Sequence, residues 1–201
     1  MNKIITVSRE FGSGGRELAR RLAEYLGYAY YDKEIISEIA KNTSFSEQYV
    51  QQVTESNPYA LYPITVAQTF SYFDLYTIRQ TQAVFSEQEK VLKQMAEKTN
   101  CVIVGRCADY ILRDYNPIKV FVYSDKQSKI KRCINKRVND GEEITEKKIK
   151  KFLKNIDKGR SKFYSLYTGQ KWGDKLNYDI CINTSNTVIK DIVPRLGEML
   201  K

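Results

Sequence analysis

Three glycines near the start of the chain lie in a segment that could bind phosphate. Gly12, Gly14 and Gly15 follow the apolar run 4–7 and precede leucines at every fourth position over 18–26. Glycine permits positive φ angles and brings bare backbone close to a ligand. The first-turn N–H groups of a helix lack partners within the helix and attract anions. The segment therefore predicts a strand, a phosphate loop and a helix; the alternative is a tight turn that needs glycine for its geometry alone.

This loop differs from the usual phosphate-loop motif, G-x-x-x-x-G-K-[ST], in which lysine contacts the outer phosphates and a hydroxyl binds magnesium. With Gly14 aligned to the second glycine, Arg9 falls on the first glycine, Gly15 on the lysine and Arg16 on the hydroxyl. Arg16, or Arg9 from the strand side, can replace the charge of lysine but not its geometry. The predicted donor-binding residues of the loop are Gly12, Ser13, Gly14, Gly15, Arg16 and Glu17.

Polar residues also follow two other predicted strands. Asp32 closes a short aromatic strand, and Gly105 and Arg106 follow the buried strand 101–104. Ligands bind at the carboxyl edge of such parallel sheets, where an arginine can form paired bonds to phosphate or carboxylate. Asp32 could instead cap the next helix, and Arg106 could be an exposed structural residue. Asp109 is a candidate for binding a metal or a substrate hydroxyl, with a helix-surface role as the alternative.

The composition removes several classes of mechanism. The 201-residue chain contains no histidine, so catalysis must use carboxylates, lysine, arginine, hydroxyls, backbone dipoles or a nucleotide-bound metal. The four cysteines lack C-x-x-C spacing and are expected to be reduced thiols without a metal or disulfide role. Neither a run of 18 apolar residues nor a signal-like N-terminus is present. We therefore expect a cytoplasmic protein that does not bind membranes.

The net charge of +9 is concentrated in one segment of the chain. Residues 1–100 carry 11 basic and 12 acidic side chains, whereas residues 119–162 carry 15 basic and 6 acidic side chains. Most of these lysines are expected to form the solvated face of two helices, with a functional role for a few arginines. Nucleic-acid binding through this segment is a third hypothesis; it predicts a steep salt dependence and is not the favoured one.

Five predicted strands alternate with helices along the chain. The predicted strands are 4–7, 28–31, 101–104, 120–123 and 178–182. This alternation is typical of a parallel sheet covered on both faces. Residues 44–98 contain no convincing strand and are predicted to form a helical insertion, in which the aromatic residues of 59–76 serve as core or subunit contacts. A homodimer through this aromatic insertion is a further expectation.

Motifs spread over nearly the whole chain resemble the cytidylate kinase-like branch of the P-loop nucleoside monophosphate kinases. They are Ser8-Arg-Glu-Phe-Gly-Ser-Gly-Gly-Arg-Glu17, Tyr31-Asp-Lys-Glu34, Val104-Gly-Arg-Cys-Ala-Asp109, Asp157-Lys-Gly-Arg160, and Tyr167-Thr-Gly through Trp172-Gly-Asp174 to Asn177-Tyr-Asp179. The resemblance implies a single domain over 1–201 with a three-layer α/β/α P-loop NTPase fold. It also implies a substrate-binding insertion at 44–98 and an arginine-bearing lid at 136–164.

The same resemblance implies roles for individual residues. The loop glycines would bind the phosphates of Mg-ATP, Gly105 and Arg106 would contact the acceptor monophosphate, and Asp32 would lie at the acceptor. The candidate arginines of the lid, which would clamp the transferring phosphoryl group, are Arg132, Arg137 and Arg160. The implied activity is transfer of the γ-phosphate of ATP to a nucleoside monophosphate, with CMP as the first choice.

Two departures from the family pattern leave alternatives open. The loop has no lysine, and Val104 occupies the position where the family has an acidic residue. Phosphoryl transfer depends almost wholly on positioning and charge stabilisation, so these losses bear directly on catalysis. A kinase for another small acceptor fits the loop and lid equally well. A non-catalytic protein that senses a nucleotide or phosphorylated ligand is the other alternative.

Overall fold

Five parallel strands form the central sheet of the protein. The computed structural model describes residues 2–55, 72–139 and 145–201; for 55, 72–78 and 136–139 it describes the backbone alone. The strands and helices are β1 (Ile4–Arg9), α1 (Gly15–Leu26), β2 (Ala29–Tyr31), α2 (Glu34–Asn42), α3 (Glu47–Glu55), α4 (Tyr72–Lys98), β3 (Cys101–Val104), α5 (Ala108–Ile111), β4 (Ile118–Tyr123), α6 (Lys126–Asn139), α7 (Glu146–Thr168), β5 (Ile180–Asn183) and α8 (Ile189–Leu200).

The strand order is β2-β3-β1-β4-β5, and each neighbouring pair is parallel. Strand β1 lies at the centre, where Val7 aligns with Val104 on one side and with Val120 on the other. All six residues of β1 are buried, as expected for a strand covered on both faces by helices. The predicted α/β fold with a five-stranded parallel sheet is confirmed.

Hydrophobic side chains cover the two faces of the sheet. On one face, the leucine stripe of α1 packs with α8 against residues of β1, β3 and β4. On the other face, side chains of α2, α3, α4, α5 and α7 form a second core cluster. Because both faces are closed by helices, the carboxyl edge of the sheet is the natural opening for a ligand.

The segment between β2 and β3 contributes helices α2, α3 and α4, and its described residues form no strand. The predicted aromatic contacts of Tyr59, Tyr62 and Phe70 fall outside the described residues, and the side chains of residues 72, 73 and 76 do so as well. Helices α6 and α7 pack against each other. No described helix combines the length and apolar character that a membrane span requires.

Candidate active site

The glycine loop connects the carboxyl end of β1 to the first turn of α1. Gly12 and Gly14 have φ angles of +77° and +81°, a conformation that side chains with a Cβ rarely adopt. A Cβ at Gly14 would lie 2.7 Å from Ile189 Cδ1, so a larger residue there would also displace the end of that side chain. Ser13 is fully buried, and its Oγ donates a hydrogen bond to Glu10 O over 2.8 Å. The loop therefore presents bare backbone at a helix N-terminus, an arrangement that fits phosphate oxygens.

Gly15 is the first residue of α1, and it packs directly against the side chain of Arg9. A Cβ at Gly15 would lie 2.5 Å from Arg9 Cβ and 3.1 Å from Val122 Cβ. Both neighbouring atoms are attached to sheet backbone and cannot easily move away. Any side chain at position 15, lysine included, therefore conflicts with the side chain at position 9.

The carboxylate of Asp32 lies at the end of β2 and is only 4% exposed. Arg16 Nε is 2.6 Å from Asp32 Oδ2, and Arg9 Nη2 is 3.9 Å from Asp32 Oδ1. Burial and the charge of Asp32 raise the pKa of Tyr30 to about 12. The N-cap of α2 is Lys33; the interpretation of Asp32 as that cap is therefore wrong. Arg16, a predicted substitute for the loop lysine, pairs with the carboxylate predicted to bind the acceptor.

Arg106 begins the turn after β3 and is 7% exposed, which excludes an exposed structural role. Gly105 and Arg106 both have positive φ angles, of 70° and 60°. The Arg106 guanidinium donates a hydrogen bond to Thr54 Oγ1 of α3, and its carbonyl accepts one from Gln88 Nε2 of α4 over 2.8 Å. Two helices of the segment between β2 and β3 thus hold Arg106 in place.

A cleft opens beside the glycine loop at the carboxyl edge of the sheet. Its lining residues are Ser8, Arg9, Thr54, Gly105, Arg106, Cys107, Arg160, Phe163, Tyr164 and Trp172. Three of them are arginines from β1, from the turn after β3 and from α7, and none of these described lining residues is a carboxylate. A cluster of arginines beside apolar and aromatic side chains is suited to binding a small anion that carries an organic group.

Helix α7 reaches the glycine loop through Arg160 and Asp157. Arg160 Nη1 donates to Arg9 O over 3.3 Å, and its guanidinium lies 5.6 Å from the centre of the Phe11 ring. Asp157 Oδ1 accepts a hydrogen bond from Phe11 N over 2.7 Å, and burial raises the pKa of Asp157. These contacts place Arg160 beside the glycine loop, and its role as a lid arginine stays a prediction.

Helix α6 carries a lysine at the loop that sequence reasoning missed. Lys129 Nζ lies 3.0 Å from Glu10 Oε2 and 3.6 Å from Asp157 Oδ2, and the side chain is 13% exposed. In the sequence, Lys129 is one basic residue among many on an amphipathic helix. Its burial follows from the packing of α6 on the loop, where a Cβ at Gly12 would lie 3.2 Å from Lys129 O.

Arg132 lies one turn further along α6 and also contacts the loop. Its guanidinium donates to the carbonyl oxygens of Ser13, Thr184 and Thr187 and to the hydroxyl of Ser124. Burial lowers the pKa of Arg132. The structure thus brings this candidate lid arginine to the loop, but its hydrogen bonds tie the loop to the turns after β4 and β5. The side chain of Arg137, at the end of α6, is outside the described residues.

Asp109 lies in α5 and is 3% exposed, so the helix-surface interpretation is wrong. Its Oδ2 is 2.6 Å from the hydroxyl of Tyr164, and its Oδ1 has no hydrogen-bond partner within the described part of the chain. Burial raises the pKa of this carboxyl group. Asp109 does not line the cleft; it contacts Tyr164, which does.

The donor set around the loop fits phosphate better than a metal ion held by the protein. Among the side chains that the structure describes, no group of three or more cysteine, aspartate or glutamate residues is placed to hold a metal. Arg16 replaces the hydroxyl that would bind magnesium in the usual motif. Glu10 and Asp32 are engaged by Lys129 and Arg16 respectively.

Residues 4–186 match the cytidylate kinase-like family. The chain belongs to this family. The match covers the loop, the cleft and helices α6 and α7, and membership assigns the chain to the kinases. A curated relative, the cytidylate kinase of Thermococcus sibiricus (strain DSM 12597 / MM 739), is 26% identical over 182 residues, which are 90% of this chain and 79% of that protein.

Solved structures with the same fold include kinases. An uncharacterized protein from Eubacterium ventriosum ATCC 27560 has a TM-score of 0.68 and 27% identity, covering 99% of this chain and 98% of that one. Shikimate kinase from Acinetobacter baumannii, in complex with shikimate, has a TM-score of 0.52 and 13% identity, with coverage of 100% and 93%. Shikimate kinase from Bacteroides thetaiotaomicron also has a TM-score of 0.52, with 17% identity and 98% coverage of both chains. At these identities, the two shikimate kinases support the P-loop kinase fold alone.

Proposed function

We propose that this protein transfers the γ-phosphate of ATP to a nucleoside monophosphate, with CMP as the first choice of acceptor. Family membership and the curated cytidylate kinase relative support the reaction class. The observation that carries the choice of a phosphorylated acceptor is the cleft lined by Arg9, Arg106 and Arg160. These three cations suit an acceptor with a dianionic group better than a neutral one.

The glycine loop is the proposed site of the donor phosphates. Gly12 and Gly14 have the positive φ angles of a phosphate cradle, and the first turn of α1 supplies N–H groups without helical partners. ATP, when bound there, would supply the transferable phosphoryl group. Magnesium usually keeps several waters and is held largely by substrate phosphates. We therefore propose that it arrives with the nucleotide, and we assign no ligand for it among the described side chains.

An ionised phosphate acceptor matches the chemistry available in this site. Its oxygen attacks the γ-phosphorus directly while the bond from phosphorus to the ADP oxygen breaks, so no proton need be removed. The chain contains no histidine, and Asp32 is already engaged by Arg16 over 2.6 Å. The arginines of the cleft would hold the two anionic reactants together and stabilise the charge that develops between them.

The helices flanking the cleft are the proposed acceptor-binding and lid elements. Thr54, in the proposed acceptor-binding insertion 44–98, contacts Arg106 of the cleft. Arg160, in the proposed lid 136–164, contacts the backbone of Arg9. Each proposed element thus reaches a different arginine of the same cleft, which supports a role for both elements in holding the acceptor.

A coupled assay of ADP release tests the proposed reaction. Mg-ATP is offered with CMP, UMP, AMP or GMP, and with cytidine as the acceptor that lacks phosphate. We expect turnover with CMP and a kcat/KM for cytidine at least about 100-fold lower, because the contacts between phosphate and arginine are lost. Arg106→Gln should lower kcat/KM for CMP by about 10-fold to 100-fold, the loss of about one charge-assisted hydrogen bond.

Arg20→Gln is the matched control for the arginine variant. Arg20 lies on the exposed face of α1 and pairs only at 3.9 Å with Glu24, so this change should leave kcat/KM unaltered. Equal turnover of cytidine and CMP would refute the phosphate-binding role of the cleft. No turnover with any monophosphate would refute the nucleotide acceptor. Isothermal titration with Mg-ATP would then test the donor site, because absence of ATP binding would favour a protein that binds a different phosphate ligand.

A further inference from the structure

Compared with the usual phosphate-loop motif, the glycine loop of this protein has a cation where the motif has a glycine, and a glycine where the motif has a cation. The usual motif has glycine at its first position and lysine directly after its second glycine. Here these positions hold Arg9 and Gly15. In sequence, the two changes read as two independent departures, six residues apart. In the fold they are one change, because the two residues contact each other.

The contact between these positions is close enough to exclude the usual arrangement. A Cβ at position 15 would lie 2.5 Å from Arg9 Cβ and 3.1 Å from Arg9 Cγ. The stem of Arg9 thus fills the space from which a lysine at position 15 would begin. The loop can accommodate a cationic side chain at position 9 or at position 15, but not at both.

The course of the Arg9 side chain shows where the relocated charge lies. Its guanidinium packs on Gly105, where any Cβ would overlap Arg9 Nη1. It lines the cleft together with Arg106 and Arg160, and its Nη2 is 3.9 Å from Asp32. Asp32 is paired more closely with Arg16, at 2.6 Å. The charge of Arg9 is therefore directed to the acceptor side of the loop, between the ends of β1, β2 and β3.

We infer that Arg9 is the cation of this phosphate loop and that it binds phosphate oxygens in the cleft, in place of the absent lysine. The inference rests on the proposed kinase function for its substrates. Its consequence is specific: the loop backbone holds the donor phosphates, while the side chain of the same loop holds the acceptor phosphate beside Arg106. Gly105 then leaves the space that the Arg9 guanidinium occupies and also forms part of the turn after β3.

Two variants of Arg9 test this inference in the full-length protein. Arg9→Gln removes the charge, and Arg9→Lys keeps it without the planar fork. Titration calorimetry with CMP and, separately, with inorganic pyrophosphate should show binding about 10-fold to 100-fold weaker in Arg9→Gln, the loss expected for charge-assisted hydrogen bonds. Arg9→Lys should recover part of it. Binding of Mg-ATP alone should change by no more than about 3-fold, because the backbone of the loop is intact.

Chemical rescue separates substrate binding from a purely structural role. In Arg9→Gly the guanidinium site is vacated, so millimolar guanidinium chloride should restore CMP affinity and turnover, whereas sodium chloride at the same concentration should not. Arg20→Gln, on the exposed face of α1, serves as the control that should respond to neither salt. A structural role alone would lower thermal stability without producing this selective rescue.

The outcomes distinguish failure of this inference from failure of the proposed function. If the wild type does not use CMP but binds pyrophosphate, and Arg9→Gln weakens that binding, the role of Arg9 stands and the choice of acceptor fails. If the wild type phosphorylates CMP and Arg9→Gln binds CMP as tightly as the wild type, the role of Arg9 is overturned. Wild-type protein that binds neither CMP nor pyrophosphate overturns it as well.

Discussion

The conflict between positions 9 and 15 predicts that the stability effect of one substitution changes sign with the residue at the other position. Gly15→Ala in the wild type adds a Cβ 2.5 Å from Arg9 Cβ and 3.1 Å from Val122 Cβ, where ordinary contacts are 3.4–4 Å. Both neighbours belong to central strands of the sheet. Overpacking of this kind costs about 1–3 kcal/mol. For a domain of this size the melting temperature should fall by about 2–12 °C.

The residue at position 9 decides whether Gly15→Ala stabilises or destabilises the fold. In Arg9→Gly only the approach to Val122 Cβ at 3.1 Å remains, and a shift of a few tenths of an ångström relieves it. Gly15→Ala should then be neutral or should stabilise the fold by up to about 1 kcal/mol, because Ala is favoured over Gly in a helix. In Arg9→Ala the Cβ remains, and Gly15→Ala should still destabilise. The coupling between Arg9→Gly and Gly15→Ala should therefore be about 1–4 kcal/mol, and the coupling with Arg9→Ala near zero.

Urea denaturation of the four proteins in each cycle measures these free energies directly. The measurement needs no substrate and does not depend on the proposed activity. An equal cost of Gly15→Ala in the wild type, Arg9→Ala and Arg9→Gly would refute the argument that the Cβ of residue 9 excludes a side chain at position 15. A cost below about 0.5 kcal/mol in the wild type, the size of an ordinary surface substitution, would refute it as well.

Three other substitutions have expected outcomes. Arg132→Met should lower the free energy of unfolding by about 1–3 kcal/mol, because its hydrogen bonds to Ser13 and Thr184 are lost; urea denaturation measures this. Gly105→Ala should raise KM for CMP at least about 10-fold, because its Cβ would displace the Arg9 guanidinium; the ADP-release assay measures it. Burial raises the pKa of Asp109. The contribution of this carboxyl group to stability should therefore fall as pH rises from its ordinary pKa through its raised value. Thermal melts at about pH 4.5 and about pH 7 should show that the stability advantage of the wild type over Asp109→Asn is larger at the lower pH.

Specific results would contradict each of these three expectations. An unchanged unfolding free energy in Arg132→Met would mean that its bonds to the loop contribute nothing. An unchanged KM in Gly105→Ala would mean that CMP binding does not depend on the packing of the Arg9 guanidinium against Gly105. A stability difference between Asp109→Asn and the wild type that is constant with pH would mean that folding does not perturb this carboxyl group.

Much of the fold could be predicted from local patterns. Short β-branched runs such as 101–104 become strands because the interior of a parallel sheet is buried on both faces. The leucine stripe of α1 follows helical periodicity, and the glycines of the loop follow from the backbone geometry that a strand-to-helix turn requires. Each of these signals lies within a few residues, so no distant part of the chain is needed to interpret it.

The candidate site was predicted only in outline. The Gly-Arg pair after β3 could be named from its position at the end of a predicted strand and from the family resemblance, and Arg160 from the resemblance. Their convergence on one cleft with Arg9 requires the sheet order and the packing of α7. The burial of Asp109 likewise required knowledge of Tyr164, which lies 55 residues away.

The sequence by itself determined the kind of site: a glycine loop without lysine, and arginines in a chain without histidine. Only the tertiary structure decided which arginine takes the place of the absent loop lysine. Arg9 and Gly15 are separated by a turn, and Val122 is more than 100 residues further on, yet their Cβ positions compete for one space at the carboxyl ends of two central strands. Such competition depends on distances of a few tenths of an ångström between close-packed atoms. Residue types and spacing do not encode those distances until the strands are paired.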